Sequence, residues 1–70
     1  MIEEQLLKYQ KEKTKVKLNL KDGNFLTGFI KQVDEGSLVF IDKYQQEVLI
    51  GIESISYVLP VGGKENGNYG

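Results

Sequence analysis

The side chains that could do chemistry in this 70-residue chain are limited, because the sequence contains no histidine, cysteine or arginine. Without imidazole and thiol groups, neither the common nucleophile–base pairs nor the usual zinc ligand sets can form. The adjacent carboxylates Asp34 and Glu35 could exchange protons with a substrate, but acidic residues on a polar turn are usually just solvated. The composition therefore predicts a protein that is not an enzyme, with no catalytic residue, metal ligand or cofactor.

Lysine is concentrated in the first third of the chain, where six of the nine lysines precede Asp22. Acidic residues outnumber lysines after residue 33, where they include Asp34, Glu35, Asp42, Glu47 and Glu53. The net charge of −1 argues against binding to polyanions through overall charge. The uneven distribution predicts either a basic edge that contacts phosphates or a solvated lysine-rich surface.

The element that must position these side chains is a hairpin in residues 15–30. Apolar residues alternate with polar ones on both sides of an Asp-Gly pair, at Val16, Leu18 and Leu20 and again at Leu26, Gly28 and Ile30. This period of two residues is typical of a half-buried strand. Asp22-Gly23 between two such runs predicts a tight primed turn. Gly28 predicts a sharp bend in the second strand, or it is an incidental glycine on an edge strand.

The rest of the chain adds one helix and three strands. Ile2, Leu6 and Tyr9 form an apolar stripe in a helix over about 3–13, and this stripe must cover part of the sheet. The strands are predicted over about 15–20, 25–33, 38–41, 47–50 and 55–59, and Pro60 ends the last one. The fold class is therefore mainly β: an N-terminal α-helix followed by a five-stranded, strongly bent antiparallel sheet that forms a small open barrel.

Two features of this layout concern domain limits and assembly. The domain is predicted over residues 1–61, and the Gly- and Asn-rich residues 62–70 are expected to be a disordered tail. The fourth and fifth strands carry few of the charges that normally protect sheet edges. Pairing of these edges between copies would close a homo-oligomeric ring. The expected subunit interface consists of Val48, Leu49, Ile50, Ile55, Tyr57 and Leu59.

A family resemblance follows from the spacing Val16-x-Leu18-x-Leu20-x-x-Gly23-x-x-Leu26-x-Gly28-x-Ile30-x-x-x-Asp34. This pattern is similar to the first motif of the Sm and Sm-like proteins, whose domain is a small barrel of the SH3-like type. Gln10-Lys11-Glu12-Lys13, Ile55-Ser56-Tyr57 and Pro60 resemble the Hfq family of bacterial RNA chaperones, especially its divergent cyanobacterial branch. The resemblance implies a ring of six subunits, with seven as the alternative, that binds single-stranded or small regulatory RNA.

The resemblance also implies three RNA-binding regions. The rim at the end of the helix corresponds to Gln10, Lys11 and Lys13. The face on the turn side corresponds to Asn19, Gly23, Asn24, Phe25 and Thr27. The pore-side pocket corresponds to Glu35, Gly36, Ser37, Ile52 and Glu53.

These regions depart from the family pattern in ways that predict weakened or altered RNA pockets. The pore-side pocket lacks the family's aromatic residue, and Ile52 and Glu53 replace its lysine and histidine. Phe25 is expected either to stack on a base or to pack on a neighbouring subunit, and Tyr57 has the same two alternatives.

Two functions are compatible with the sequence. The first is an Hfq-like RNA chaperone and post-transcriptional regulator in the cytoplasm. The second is an Sm-like ring that serves as a scaffold for protein partners and has little RNA affinity. The sequence has no stretch of roughly 20 apolar residues, so no contact with a membrane is expected.

Overall fold

The computed structural model describes residues 2–61, and the predicted tail at 62–70 lies outside the described residues. The helix α1 and the strands β1 to β5 occur in the predicted order, each within one residue of its expected ends. A short 3-10 helix joins the last two strands. The bounds are α1 Ile2–Glu12, β1 Val16–Leu20, β2 Phe25–Asp34, β3 Ser37–Asp42, β4 Glu47–Gly51, 3-10 helix Ile52–Ser54 and β5 Ile55–Pro60.

All neighbouring strands of the single sheet are antiparallel, in the order β4-β3-β2-β1-β5. The mainly β fold class predicted from the sequence is confirmed. β4 and β5 are the two edges, so each has a row of backbone groups without a partner strand in the described chain. A single copy thus leaves open the two strands that the sequence predicts to pair between copies.

The core lies on one face of the sheet and under α1. Val16 and Leu18 of β1 are fully buried, as their alternation predicts. Leu6 of α1 is also fully buried, and α1 packs against β2 and β5. Ile2 and Tyr9 pack against the same core, whereas Leu7 is 48% exposed. The apolar stripe of the helix therefore covers the sheet as expected.

The turn of the β1–β2 hairpin differs from the predicted primed type. Leu20 pairs with Asn24 across a three-residue loop, and the Gly23 amide donates to the Leu20 carbonyl at 3.1 Å. Of the three loop residues only Gly23 has a positive φ, at 95°. A primed turn of the Asp-Gly type needs positive φ at both central residues. The observed loop is instead an ordinary turn followed by a glycine bulge, in which Gly23 alone provides the left-handed conformation.

Gly28 is not an edge residue, because β2 lies between β1 and β3. The pairing of β2 with β3 shifts register between Ile30 and Gln32, two residues beyond this glycine. Such a bulge increases the bend and twist of a strand.

Within residues 2–61, no helix is long and apolar enough to cross a membrane.

Candidate nucleic-acid interface

The predicted rim is built on the C-terminus of α1. The Thr14 amide donates to the Tyr9 carbonyl at 3.1 Å, and the Lys13 amide donates to the Gln10 carbonyl at 3.2 Å. These two hydrogen bonds define a Schellman cap, whose left-handed position is usually a glycine. Here that position is Lys13, with φ of 56°. The chain thus holds a lysine in a conformation that a lysine rarely adopts, at the predicted RNA-binding edge.

The three rim residues differ in how they are held. The Gln10 side-chain amide donates to the Lys31 carbonyl of β2 at 3.2 Å, which ties the helix end to the sheet. Lys31 in turn forms an exposed ion pair with Glu47 of β4, a contact that contributes less than about 1 kcal/mol. Lys11 and Lys13 are exposed. The two lysines are therefore the rim residues with charges available to phosphate.

The outer face of the sheet, on the side opposite the core, carries most of the predicted turn-side residues. The register places two rows side by side: Phe25, Asn19 and Tyr57 in one, and Thr27, Lys17 and Leu59 in the next. Phe25 is 55% exposed and Tyr57 is 51% exposed. The face thus combines two solvent-exposed aromatic rings, with Asn19 between them, and a lysine in the neighbouring row.

Gly23, Asn19 and Asn24 have mainly local roles in the structure. The Asn24 amide donates to Asp22 Oδ1 at 2.9 Å, and its side-chain Nδ2 donates to Asp22 Oδ2 at 3.1 Å. Asn19 Nδ2 donates to the Lys17 carbonyl at 3.4 Å. These contacts rigidify the hairpin and orient the polar groups beside Phe25.

Phe25 lies against a lysine and borders a pocket. The ammonium of Lys17 is 4.3 Å from the centre of the Phe25 ring, within cation–π range. The pocket lies between the start of β2 and the loop that joins β3 to β4, and its lining residues are Phe25, Leu26, Thr27, Asp42, Lys43 and Tyr44. Two aromatic rings and two lysines from distant parts of the sequence therefore meet at one place.

The pore-side residues are brought together by backbone contacts. The Ile52 amide donates to the Gly36 carbonyl at 3.0 Å, and Ser37 pairs with Gly51. Glu35 and Glu53 are exposed, so this region carries negative charge. Ile52 is only 7% exposed and belongs to the core, so its side chain is not presented to solvent.

The residues predicted for the subunit interface divide into two groups. Leu49, Tyr57 and Leu59 are 74%, 51% and 47% exposed on the edge strands. Ile50 and Ile55 are in the core, and Val48 packs against it, so these residues offer a partner mainly their backbone groups. An edge-to-edge contact would therefore combine backbone pairing with the exposed side chains.

The solved structures with a similar fold include two Hfq proteins. A 1.55 Å crystal structure of the pleiotropic translational regulator Hfq has a TM-score of 0.74 and 20% sequence identity, covering 84% of this chain and 95% of that one. An Hfq protein from Anabaena sp. has a TM-score of 0.70 and 24% identity, covering 83% and 92%. The chain has the Sm-like fold of Hfq. No protein-family model and no curated protein sequence matches it.

The sequence alone did not predict a role for three of the residues that line the pocket beside Phe25. These residues are Asp42, Lys43 and Tyr44. They lie in what looks like an ordinary polar loop, and only the fold brings that loop next to Phe25. One signal was present, because an exposed aromatic beside a lysine in a polar loop is typical of nucleic-acid contacts. The Lys43 ammonium is 5.5 Å from the Tyr44 ring centre.

Proposed function

We propose that the chain forms a homo-oligomeric Sm-like ring that binds single-stranded RNA and acts as an Hfq-like RNA chaperone or post-transcriptional regulator. The observation that carries this proposal is the Sm-like fold itself, with β4 and β5 as open edges beside a face of aromatic and lysine side chains. One protein with a similar structure is described as a pleiotropic translational regulator, which supports the regulatory role.

The two open edges support the proposal of a ring. Leu49 is 74% exposed, so a single copy leaves this apolar side chain in solvent. It lies on the outer face, as Tyr57 and Leu59 do, because Ile50 and Val58 beside them are buried. If β4 of one copy pairs with β5 of the next, these apolar side chains share one face and cover each other. Such pairing uses both edges, and six subunits are expected, with seven as the alternative.

The balance of contacts at Phe25 supports the proposal of RNA binding. Stacking of a base on an aromatic ring contributes about 1–3 kcal/mol, whereas an exposed cation–π contact contributes about 0.5–1 kcal/mol. A base can therefore displace the Lys17 ammonium from the ring and leave that charge free to contact phosphate. The exposed lysines Lys11 and Lys13 of the rim provide further charge. Because lysine is a point charge, rim binding should be sensitive to salt and poorly selective.

A protein scaffold is the second candidate, and the pore side favours it. Glu35 and Glu53 are exposed where two segments of the chain meet. Carboxylates repel RNA phosphates, so RNA binding at this position is weakened. In the scaffold alternative, the ring is kept and the exposed apolar residues of the outer face bind a protein partner.

Two measurements test the proposal. Sedimentation at micromolar concentration should give a mass several times that of one chain, and a single-chain mass would overturn the ring. Titration with oligo(U), oligo(A) and a structured small RNA at about 50 and 200 mM salt should give micromolar or tighter binding to at least one RNA, weakened by salt. A ring that binds none of them would support the scaffold instead.

A further inference from the structure

The pocket between β2 and the β3–β4 loop is large enough for the six-membered ring of one base but not for a whole nucleotide. Its volume is about 120 Å³. An apolar cavity of ~150 Å³ holds one benzene molecule, whereas pockets for drug-sized ligands are ~300–1,000 Å³. The lining aromatic residues, Phe25 and Tyr44, offer π-faces to such a ring. The volume therefore suits the Watson–Crick side of one planar base, with the rest of the base, its sugar and its phosphate outside the pocket.

Charges at the mouth of the pocket suit an anion attached to that ring. Lys43 lines the pocket, and the Lys17 ammonium lies over the ring of Phe25. Against these two cations there is one carboxylate among the lining residues, that of Asp42. A planar group joined to a phosphate satisfies both features. This is the chemistry of a nucleotide.

The Asp42 carboxylate is fixed by its own loop. Its Oδ1 accepts the backbone amides of Tyr44 at 2.8 Å and Gln46 at 2.9 Å. Within residues 2–61, no donor contacts its Oδ2. An ionised carboxylate only accepts hydrogen bonds. A base that enters the pocket is therefore favoured when its edge presents donors to this oxygen.

The four RNA bases differ in what they present on their Watson–Crick edges. Guanine has two adjacent donors, N1–H and the 2-amino group, which can both donate to the two free acceptor sites of Asp42 Oδ2. Adenine and cytosine each have one amino group next to an acceptor nitrogen. Uracil has a single N3–H between two carbonyl oxygens, which a carboxylate repels. Asp42 therefore ranks guanine first and uracil last.

We infer that the pocket of Phe25, Asp42 and Tyr44 binds one unpaired nucleotide of single-stranded RNA and that Asp42 makes it prefer guanine. The base stacks on the aromatic residues, and Lys17 and Lys43 contact its phosphate. This inference rests on the proposed RNA-binding function and specifies the base that this part of the outer face selects.

The test uses NMR spectra of the full chain titrated with GMP, AMP, CMP and UMP. The ring resonances of Phe25 and Tyr44 should shift, and GMP should bind at least about tenfold more tightly than UMP. Asp42→Asn keeps an oxygen acceptor for the loop amides but replaces Oδ2 by an amide donor, so most of the tenfold preference should disappear. Glu3→Gln removes the same charge from α1 and should leave the preference unchanged.

A second variant tests base stacking separately from the hydrogen bonds of Asp42. Tyr44→Leu keeps the apolar bulk and should weaken binding of all four nucleotides about fivefold or more, because the stacking surface is lost. Equal affinities for GMP and UMP, or a preference that survives in Asp42→Asn, would overturn the guanine selection.

The failure of this inference can be distinguished from the failure of the proposed function. If no nucleotide shifts Phe25 and Tyr44, but single-stranded RNA binds the ring through Lys11, the pocket assignment is wrong and RNA binding stands. If these resonances respond to protein concentration and not to nucleotide, a second copy covers the pocket and the inference is wrong. If no RNA binds at all, the proposed function and the inference both fail.

Discussion

A β-carbon added to Gly28 would lie 1.9 Å from the carbonyl oxygen of Ile41. The Ile41 carbonyl carbon and the Asp42 α-carbon would be at 3.0 and 3.1 Å, so the three nearest atoms all belong to the backbone of β3. Backbone atoms of a paired strand cannot rotate away as a side chain can. β2 and β3 thus approach more closely at this point than any side chain on Gly28 would permit.

Gly28→Ala should therefore lower the free energy of unfolding by about 3 kcal/mol or more, at or above the upper end of ordinary overpacking. Chemical denaturation at one fixed protein concentration measures this effect. Gly51→Ala is the matched control, because Gly51 has an extended φ of −73° and nothing within 4 Å of its added β-carbon. An equal loss of stability in both variants would contradict the close approach as the cause.

Gln45→Gly should stabilise the fold. Gln45 has φ of 67° in the three-residue loop between β3 and β4, the same position that Gly23 occupies in the first hairpin. A left-handed non-glycine residue costs about 1–2 kcal/mol, part of which is offset by the greater chain entropy of glycine in the unfolded state. The expected gain is about 0.5–1 kcal/mol, measured by thermal or chemical unfolding. Gln46→Gly, at the next residue with no positive φ, should instead destabilise the fold.

Lys13→Gly should change stability and RNA binding in opposite directions. Glycine relieves the left-handed strain in the Schellman cap, which should add about 1 kcal/mol to the free energy of unfolding. If Lys13 contacts phosphate, RNA affinity should fall, and the slope of log K against log salt should become shallower by about 0.7 for each lost contact. Denaturation and RNA titrations at several salt concentrations measure the two effects.

Lys11→Ala is the matched variant for this comparison. Lys11 lies in the last turn of α1 and is exposed, so its replacement removes one charge without relieving backbone strain. It should weaken RNA binding without the gain in stability. If both variants leave RNA affinity and its salt slope unchanged, the rim is not part of the binding surface.

The sequence predicts the fold more completely than it predicts the site, and particular residues explain the difference. Burial on one face imposes the alternation of Val16 and Leu18, so the pattern determines both strand position and orientation. An Asp-Gly pair is compatible with more than one hairpin loop, so the turn type was predicted wrongly. The need for glycine at position 28 was visible, but its cause, the Ile41 carbonyl, is a contact between strands.

The site depends on contacts that local patterns do not contain. Tyr44 and Phe25 are nineteen residues apart and border the same pocket only because of strand pairing and loop geometry. Lys13 occupies a position for which sequence rules favour glycine, so its left-handed conformation gave no signal. The sequence shows that Ile52 and Glu53 replace the lysine and histidine of the Hfq pattern. It does not show that Ile52 is buried in the core.

Leu49→Lys should dissociate the ring without unfolding the subunit. The leucine side chain is 74% exposed on β4, so the single copy loses little burial when it is replaced. In an assembled ring the same position is covered by the outer face of the next copy, and a buried unpaired ammonium is strongly disfavoured there. Sedimentation should show a large fall in mass, while circular dichroism retains the signal of the folded chain. Leu7→Lys, at a 48% exposed position on α1, should leave the mass unchanged. A ring that survives Leu49→Lys at micromolar concentration would mean that the copies do not associate through β4.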